Sequence, residues 1–219
     1  MNKKISNCLV VLCYIGVAVP LVYLGIAFFT HNLTVNPVLT AEQWSGDYAV
    51  TLLLASLTFT PLFLITGESV FIRFRPIVGL SAFFYAFLHF ILFIWPDYGF
   101  DLPQILLTIS RKPYIIIGLV VLVILLILAI TSLKKVRMVL KNNWKTIQRF
   151  VYLAAAGAVI HYGLAVKGNL LTLRGNVLIP YIYAGVLLVL LILRIPPIEK
   201  AISFGLRRRA SRKNNQDLV

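Results

Sequence analysis

Residues 147–162 read IQRFVYLAAAGAVIHY. The run is apolar enough for lipid, yet it opens on Gln148 and Arg149 and closes on His161. Charged or polar groups bracketing an apolar helix mark where it enters and leaves a bilayer. An ionisable residue inside such a helix is a functional candidate by default. The rest of the chain puts this run in context. Of 219 residues, 60% are hydrophobic and 13% charged. A soluble domain is about 45–50% apolar and about 25% charged, so the composition predicts an integral membrane protein.

A membrane-crossing helix needs about 20 mainly apolar residues. Six segments qualify, at 8–29, 48–66, 77–95, 114–132, 150–166 and 177–195. Only helices keep their backbone groups satisfied in lipid without closing a barrel. The predicted fold is therefore an all-α bundle of six transmembrane helices. Residues 1–7 precede it and a basic tail, 196–219, follows. The basic start and long first run resemble a leader peptide. The run is longer than an ordinary leader core and no A-x-A site closes it, so it is read as a retained span. Pro20 and Pro61 fall inside the first two spans, where each predicts a kink. No internal repeat is evident.

The formal net charge is +14. The cations fall between the apolar segments and in the tail, which matches membrane topology and anionic headgroups rather than nucleic acid. With the N-terminus inside, 17 of the 21 Lys and Arg residues lie on one side; only Arg111, Lys112, Lys167 and Arg174 lie on the other. Both termini are therefore expected in the cytoplasm. Cys8 and Cys13 form neither a CxxC nor a CxxCH pattern, and read as small apolar fillers. No GxSxG elbow is present. No GxGxxG follows a strand, so an external electron or substrate donor is expected for any redox role.

His89 lies in the third span and His161 in the fifth, and both spans run outward. They follow Arg75 and Arg149 by 14 and 12 residues, or about 21 and 18 Å along a helix. Two imidazoles thus reach one depth, in the outer half of the membrane. Positions three, four and seven away share a face. For His161 these are Ala158, Gly157 and Ala154; for His89 they include Ala86 and Ala82, with Tyr85 beside them. Small residues leave room for a flat group, and a haem held by one imidazole from each side suits the spacing and ligand type. Such stripes also let helices pack closely, and a buried histidine also serves as an interhelical hydrogen-bond donor. His31, just past the first span, reads as a loop residue. Zinc lacks further ligands near any of the three histidines.

At these residues the sequence resembles the ferric reductase-like transmembrane family. Within it, the resemblance is to the haem-binding membrane subunits of periplasmic methionine sulfoxide reductase systems. The matching pieces are SGDYAVTLLLASLTFTPL, RPIVGLSAFFYAFLHFILFIWPD, RKPYIIIGL, LAITSLKKVR, Trp144 and RFVYLAAAGAVIHY, over about residues 45–167. The resemblance implies a b-type cytochrome with His89 and His161 as axial ligands of the haem iron. It implies electron transfer from a quinol or a cytoplasmic flavin reductase to a periplasmic molybdenum-containing reductase subunit, with FMN and quinone as associated cofactors. It places the protein in the inner membrane. Gln148 stands where the family pattern has a further histidine, which implies a single haem on the outer side. An amide is a poor iron ligand. The six cations of loop 133–149 are candidates for holding a flavin phosphate. A ferric or cupric reductase-like haem protein, and a non-redox small transporter or assembly factor, are the alternative readings.

Overall fold

The computed structural model describes residues 3–30, 32–166, 168–169, 174–175 and 178–198. His31, Lys167 and residues 199–219 of the basic tail lie outside the described residues. Nine α-helices are present among the described residues: α1 Lys3–Phe29, α2 Pro37–Thr66, α3 Val70–Leu92, α4 Leu102–Arg111, α5 Tyr114–Ser132, α6 Lys134–Leu140, α7 Asn143–Gln148, α8 Val151–Ala165 and α9 Leu178–Ile192. Among the described residues the strands are a two-residue antiparallel pair, Gly168–Asn169 with Arg174–Gly175.

Among the described residues, four helices are long and apolar enough to cross a membrane by length and composition: α1, α2, α5, and α3 with its extension to Asp97. α8 and α9 have 15 residues each, about 22 Å of helix, less than a full hydrocarbon thickness. The six predicted segments all fall on helices. Their ends differ where polar residues are helical. α2 starts at Pro37 rather than at 48, because Asn36 caps it, its Oδ1 accepting from Leu39 N at 3.0 Å. The predicted loop after the third span contains α4, capped likewise by Asp101 accepting from Gln104 N. Loop 133–149 is mostly α6 and α7. α1 runs on through Pro20 and α2 through Pro61. At Pro96 the third helix widens into a π-turn, Phe93–Asp97. Proline clashes with the carbonyl four residues back, and the wider turn relieves that clash.

The core lies among α2, α3, α5, α8 and α9. Leu53, Leu57, Ala82, Val121, Leu125, Ala154, Ala155 and Leu187 are buried there. Lipid supplies no hydrophobic drive between helices, so close packing of small residues must hold them. The alanine stripe does this. Ala82, Ala154 and Ala155 have no exposed surface. A Cβ on Gly157 would stand 2.6 Å from Val121 Cγ2. Gly157 therefore marks the contact of α8 with α5, not clearance for a ligand as its spacing from His161 suggested. Gly157→Ala is expected to lower stability by about 1–3 kcal/mol through overpacking, and Val121→Ala to restore much of it. Thermal melts of the two single variants and the double variant check this. Additive losses would show that the two residues do not compete for the same space.

α1 sits at the periphery, with only Ser6, Leu24 and Ala27 buried. It is tied to α3 by Arg73 Nη1 donating to Ser6 Oγ (2.9 Å) and Asn7 Oδ1 (3.0 Å), and by Tyr85 OH donating to Val17 O (2.9 Å). Tyr23 stacks on Trp44 of α2 with ring centres 5.5 Å apart.

Candidate functional site

α3 and α8 bring His89 and His161 together, with ring centres 6.2 Å apart and planes crossed at 79°. The common depth inferred from helix rise is therefore a real juxtaposition. The same backbone device holds both rings. His89 Nδ1–H donates to Glu42 O on α2 at 2.8 Å, and His161 Nδ1–H donates to Tyr114 O on α5 at 2.8 Å. A carbonyl only accepts, so each Nδ1 carries a proton, and in the neutral ring Nε2 keeps its lone pair. That tautomer is the one a metal takes up, and the backbone bond fixes ring orientation and raises ligand basicity.

The ring lies on a helix surface where a glycine removes the obstruction. Gly46 is four residues after Glu42, and Gly118 is four after Tyr114. A Cβ at Gly46 would stand 3.2 Å from His89 Nδ1. One at Gly118 would stand 2.7 Å from His161 Cε1 and 2.8 Å from Nδ1. Each imidazole thus reaches the carbonyl at position i by crossing the glycine at i+4. Both hydrogen bonds span 47 residues of chain. The helix pairs α2/α3 and α5/α8 repeat one geometry, although the sequence shows no repeat. Each pair presents one imidazole to the same place between α3 and α8.

Two imidazoles bound to opposite sides of one metal, with metal–nitrogen bonds of about 2.0–2.1 Å, have ring centres roughly 6 Å apart. The observed separation meets that requirement. The tautomers meet the second requirement, an unprotonated nitrogen on each ring. Among the described residues no group of three or more His, Cys, Asp or Glu side chains is placed to hold a metal ion. The donor set is thus two neutral imidazoles, which suits an iron whose other four positions are filled by a macrocycle.

Gln148 lies at the opposite end of the bundle. Its Nε2 donates to Leu128 O (3.1 Å), Thr131 Oγ1 (3.0 Å) and, at the long limit, Ser132 Oγ (3.4 Å). The amide is committed to the end of α5, where the sequence reads LAITS. Trp144 ends up beneath Arg137, whose guanidinium carbon is 4.3 Å from the ring centre. Arg111 and Lys112 are exposed at the end of α4. The spacing argument anticipated that His89 and His161 come together, and it did not single out Gly46, Gly118 or the two carbonyls. A glycine inside an apolar helix was the one available signal.

A family model described as ferric reductase like transmembrane component matches residues 45–159, which include His89 and end two residues before His161. The chain is 36% identical over 200 residues to the protein-methionine-sulfoxide reductase heme-binding subunit MsrQ of Rhodospirillum rubrum, covering 91% of this chain and 90% of the relative. It is 35% identical over 182 residues to the MsrQ of Xanthomonas campestris pv. campestris strain 8004, covering 80% of each. It is 33% identical over 160 residues to that of Bordetella pertussis, covering 73% of this chain and 75% of the relative.

Proposed function

Because the chain belongs to the ferric reductase-like transmembrane family, and within it to the MsrQ type, we propose that it is a membrane b-type cytochrome passing electrons to a methionine sulfoxide reductase catalytic subunit. The observation that carries this reading is the imidazole pair, with two Nδ1–H bonds to backbone carbonyls and ring centres 6.2 Å apart. A haem held by His89 and His161 would supply a one-electron carrier, and two imidazole ligands would favour electron transfer over oxygen binding. The chain's own part is to hold the ligands. Glu42 O and Tyr114 O set the tautomers, Gly46 and Gly118 set the ring planes, and the apolar walls exclude water.

In this proposal α8 and α9 complete six crossings, and both termini face the cytoplasm of a cell whose inner membrane holds the protein. His89 and His161 then lie toward the periplasm, near a molybdenum-containing partner. The donor is a quinol or a cytoplasmic flavin reductase, with FMN or a quinone relaying electrons from the inner side. One haem per chain follows from Gln148, whose amide is engaged with α5. The test is haem quantitation and a dithionite-reduced spectrum of the purified full-length protein. Reduced b-type bands at one haem per chain are expected. A colourless protein would remove the redox reading, and two haems per chain would remove the inference from Gln148.

A further inference from the structure

The connection from α3 to α5 carries an amphipathic helix whose apolar face the protein covers only in part. On α4, Leu102, Ile105, Leu106 and Ile109 lie three, four and seven residues apart and share one face. Gln104, Thr108 and Arg111 share the opposite face. Ile105 is 8% exposed and docks the stripe on the bundle, but Leu102 and Leu106 are 66% and 65% exposed. Just ahead of α4, Trp95 and Phe100 stack with ring centres 6.3 Å apart and planes 24° from parallel. Both rings are more than half exposed. Phe100 has a left-handed backbone, φ 61°, directly after Gly99 at φ 56°. A bulky side chain rarely adopts that conformation.

Apolar residues exposed singly are ordinary on any protein. Four between residues 95 and 106, one of them on an unfavourable backbone, mark a surface that something covers. The surfaces on either side identify the cover. α3 exposes Phe84 and Phe87, and α5 exposes Ile116 and Val120. Both helices are spans by length and composition, so lipid reaches α4 from both sides. Tryptophan is enriched where a span meets headgroups, and Trp95 lies in the π-turn that ends the third helix. A helix with one apolar face, one polar face and cations beside them lies in that plane. Arg111 and Lys112, exposed at the end of α4, add attraction to anionic headgroups.

We propose that α4 is an interfacial helix whose partner is the lipid surface. Its Leu102–Leu106 edge and the Trp95–Phe100 pair are seated in the leaflet at the histidine end of the bundle. Tyr114, whose carbonyl accepts from His161, starts α5 three residues after α4 ends. The seated helix thereby braces the stretch of chain that orients the His161 ring. This seating rests on α3 and α5 spanning the membrane, as in the proposed function, and not on what the histidines bind.

The test places single nitroxide labels on the full-length protein carrying Cys8→Ala and Cys13→Ala, in nanodiscs of phosphatidylcholine and phosphatidylglycerol. The label sites are Leu102→Cys, Leu106→Cys, Gln104→Cys and, on the exposed face of α5, Val120→Cys. Power saturation of the electron paramagnetic resonance signal compares collisions with oxygen, which dissolves in lipid, and with a water-soluble nickel chelate. The oxygen-to-nickel ratio at residues 102 and 106 is expected to be several-fold that at 104 and to approach that at 120. Nickel-favoured values at 102 and 106, with 120 oxygen-favoured, would overturn the seating and show a face open to a soluble protein partner. Labels at 102 and 106 shielded from both reagents would also overturn it, because protein would then cover the face. Nickel-favoured values at 120 as well would remove the spanning of α5 along with the seating of α4. Size-exclusion profiles identify a variant that fails to fold, and the other leucine site then carries the comparison.

Discussion

His161→Ala and His89→Ala are each expected to lower haem affinity by more than about a hundredfold, leaving purified protein almost free of b-type bands. Loss of an outer-shell partner to a metal ligand typically costs about 10–100-fold, and in the proposed function these variants remove the ligand itself. The two losses should be equal in size. Each ring has the same Nδ1–H bond of 2.8 Å to a helix carbonyl and the same glycine beneath it, so neither side is the stronger anchor. Exogenous imidazole at millimolar concentration should restore the reduced spectrum in either variant by filling the space left by the ring. That rescue separates a ligand role from a packing role, because a structural histidine replaced by alanine recovers no haem bands with imidazole. Haem retained at full stoichiometry in both variants would end the ligand assignment. The crossed planes give a further readout. Nearly perpendicular imidazoles on low-spin ferric iron leave two of its d orbitals close in energy. The electron paramagnetic resonance of the loaded protein should therefore be strongly anisotropic.

The parts of this site that sequence reasoning reached were those with a periodic or chemical signature. The apolar run at 114–132 is α5 to the residue, since no charged residue interrupts it between Lys112 and Lys134. The histidine pair was legible because helix rise converts sequence distance from a boundary arginine into depth. What was not legible depends on which helices become neighbours. The alanines and Gly157 look like clearance for a flat ligand when only α8 is considered. Once α5 is beside them, Val121 occupies that space. Gly46 and Gly118 look unremarkable in sequence because their importance lies in rings 43 residues further along. The repeated geometry of α2/α3 and α5/α8 is invisible to residue-by-residue comparison for the same reason. It is carried by backbone carbonyls and missing Cβ atoms, which leave little trace in side-chain identity. The start of α2 was missed because its first turns are polar, and hydropathy detects lipid exposure rather than helix.

Gly118→Ala is the second variant expected to have a large effect, and its sign runs against helix propensity. Replacing glycine by alanine inside a helix ordinarily favours the helix by about 1 kcal/mol. Gly16 in α1 and Gly185 in α9 have nothing within 4 Å of the added Cβ, so alanine there should stabilise or be neutral. At Gly118 the added Cβ would stand 2.7 Å from His161 Cε1, 2.8 Å from Nδ1 and 3.2 Å from Nε2. The ring cannot lift away without lengthening its 2.8 Å bond to Tyr114 O, and the backbone of α5 cannot recede without opening its contact with α8. Loss of that bond frees the tautomer, so the nitrogen facing the centre is no longer reliably unprotonated. The expected outcome is a 10–100-fold loss of haem affinity together with about 1–3 kcal/mol of destabilisation from overpacking. Gly46→Ala should follow the same direction with a smaller effect, because its closest approach is 3.2 Å and a shift of a few tenths of an ångström relieves it. Haem titration and thermal melts of the four alanine variants at residues 16, 46, 118 and 185 test the ordering. A Gly118→Ala protein that binds haem as tightly as wild type would show that the contact between ring and helix does not set the ligand geometry.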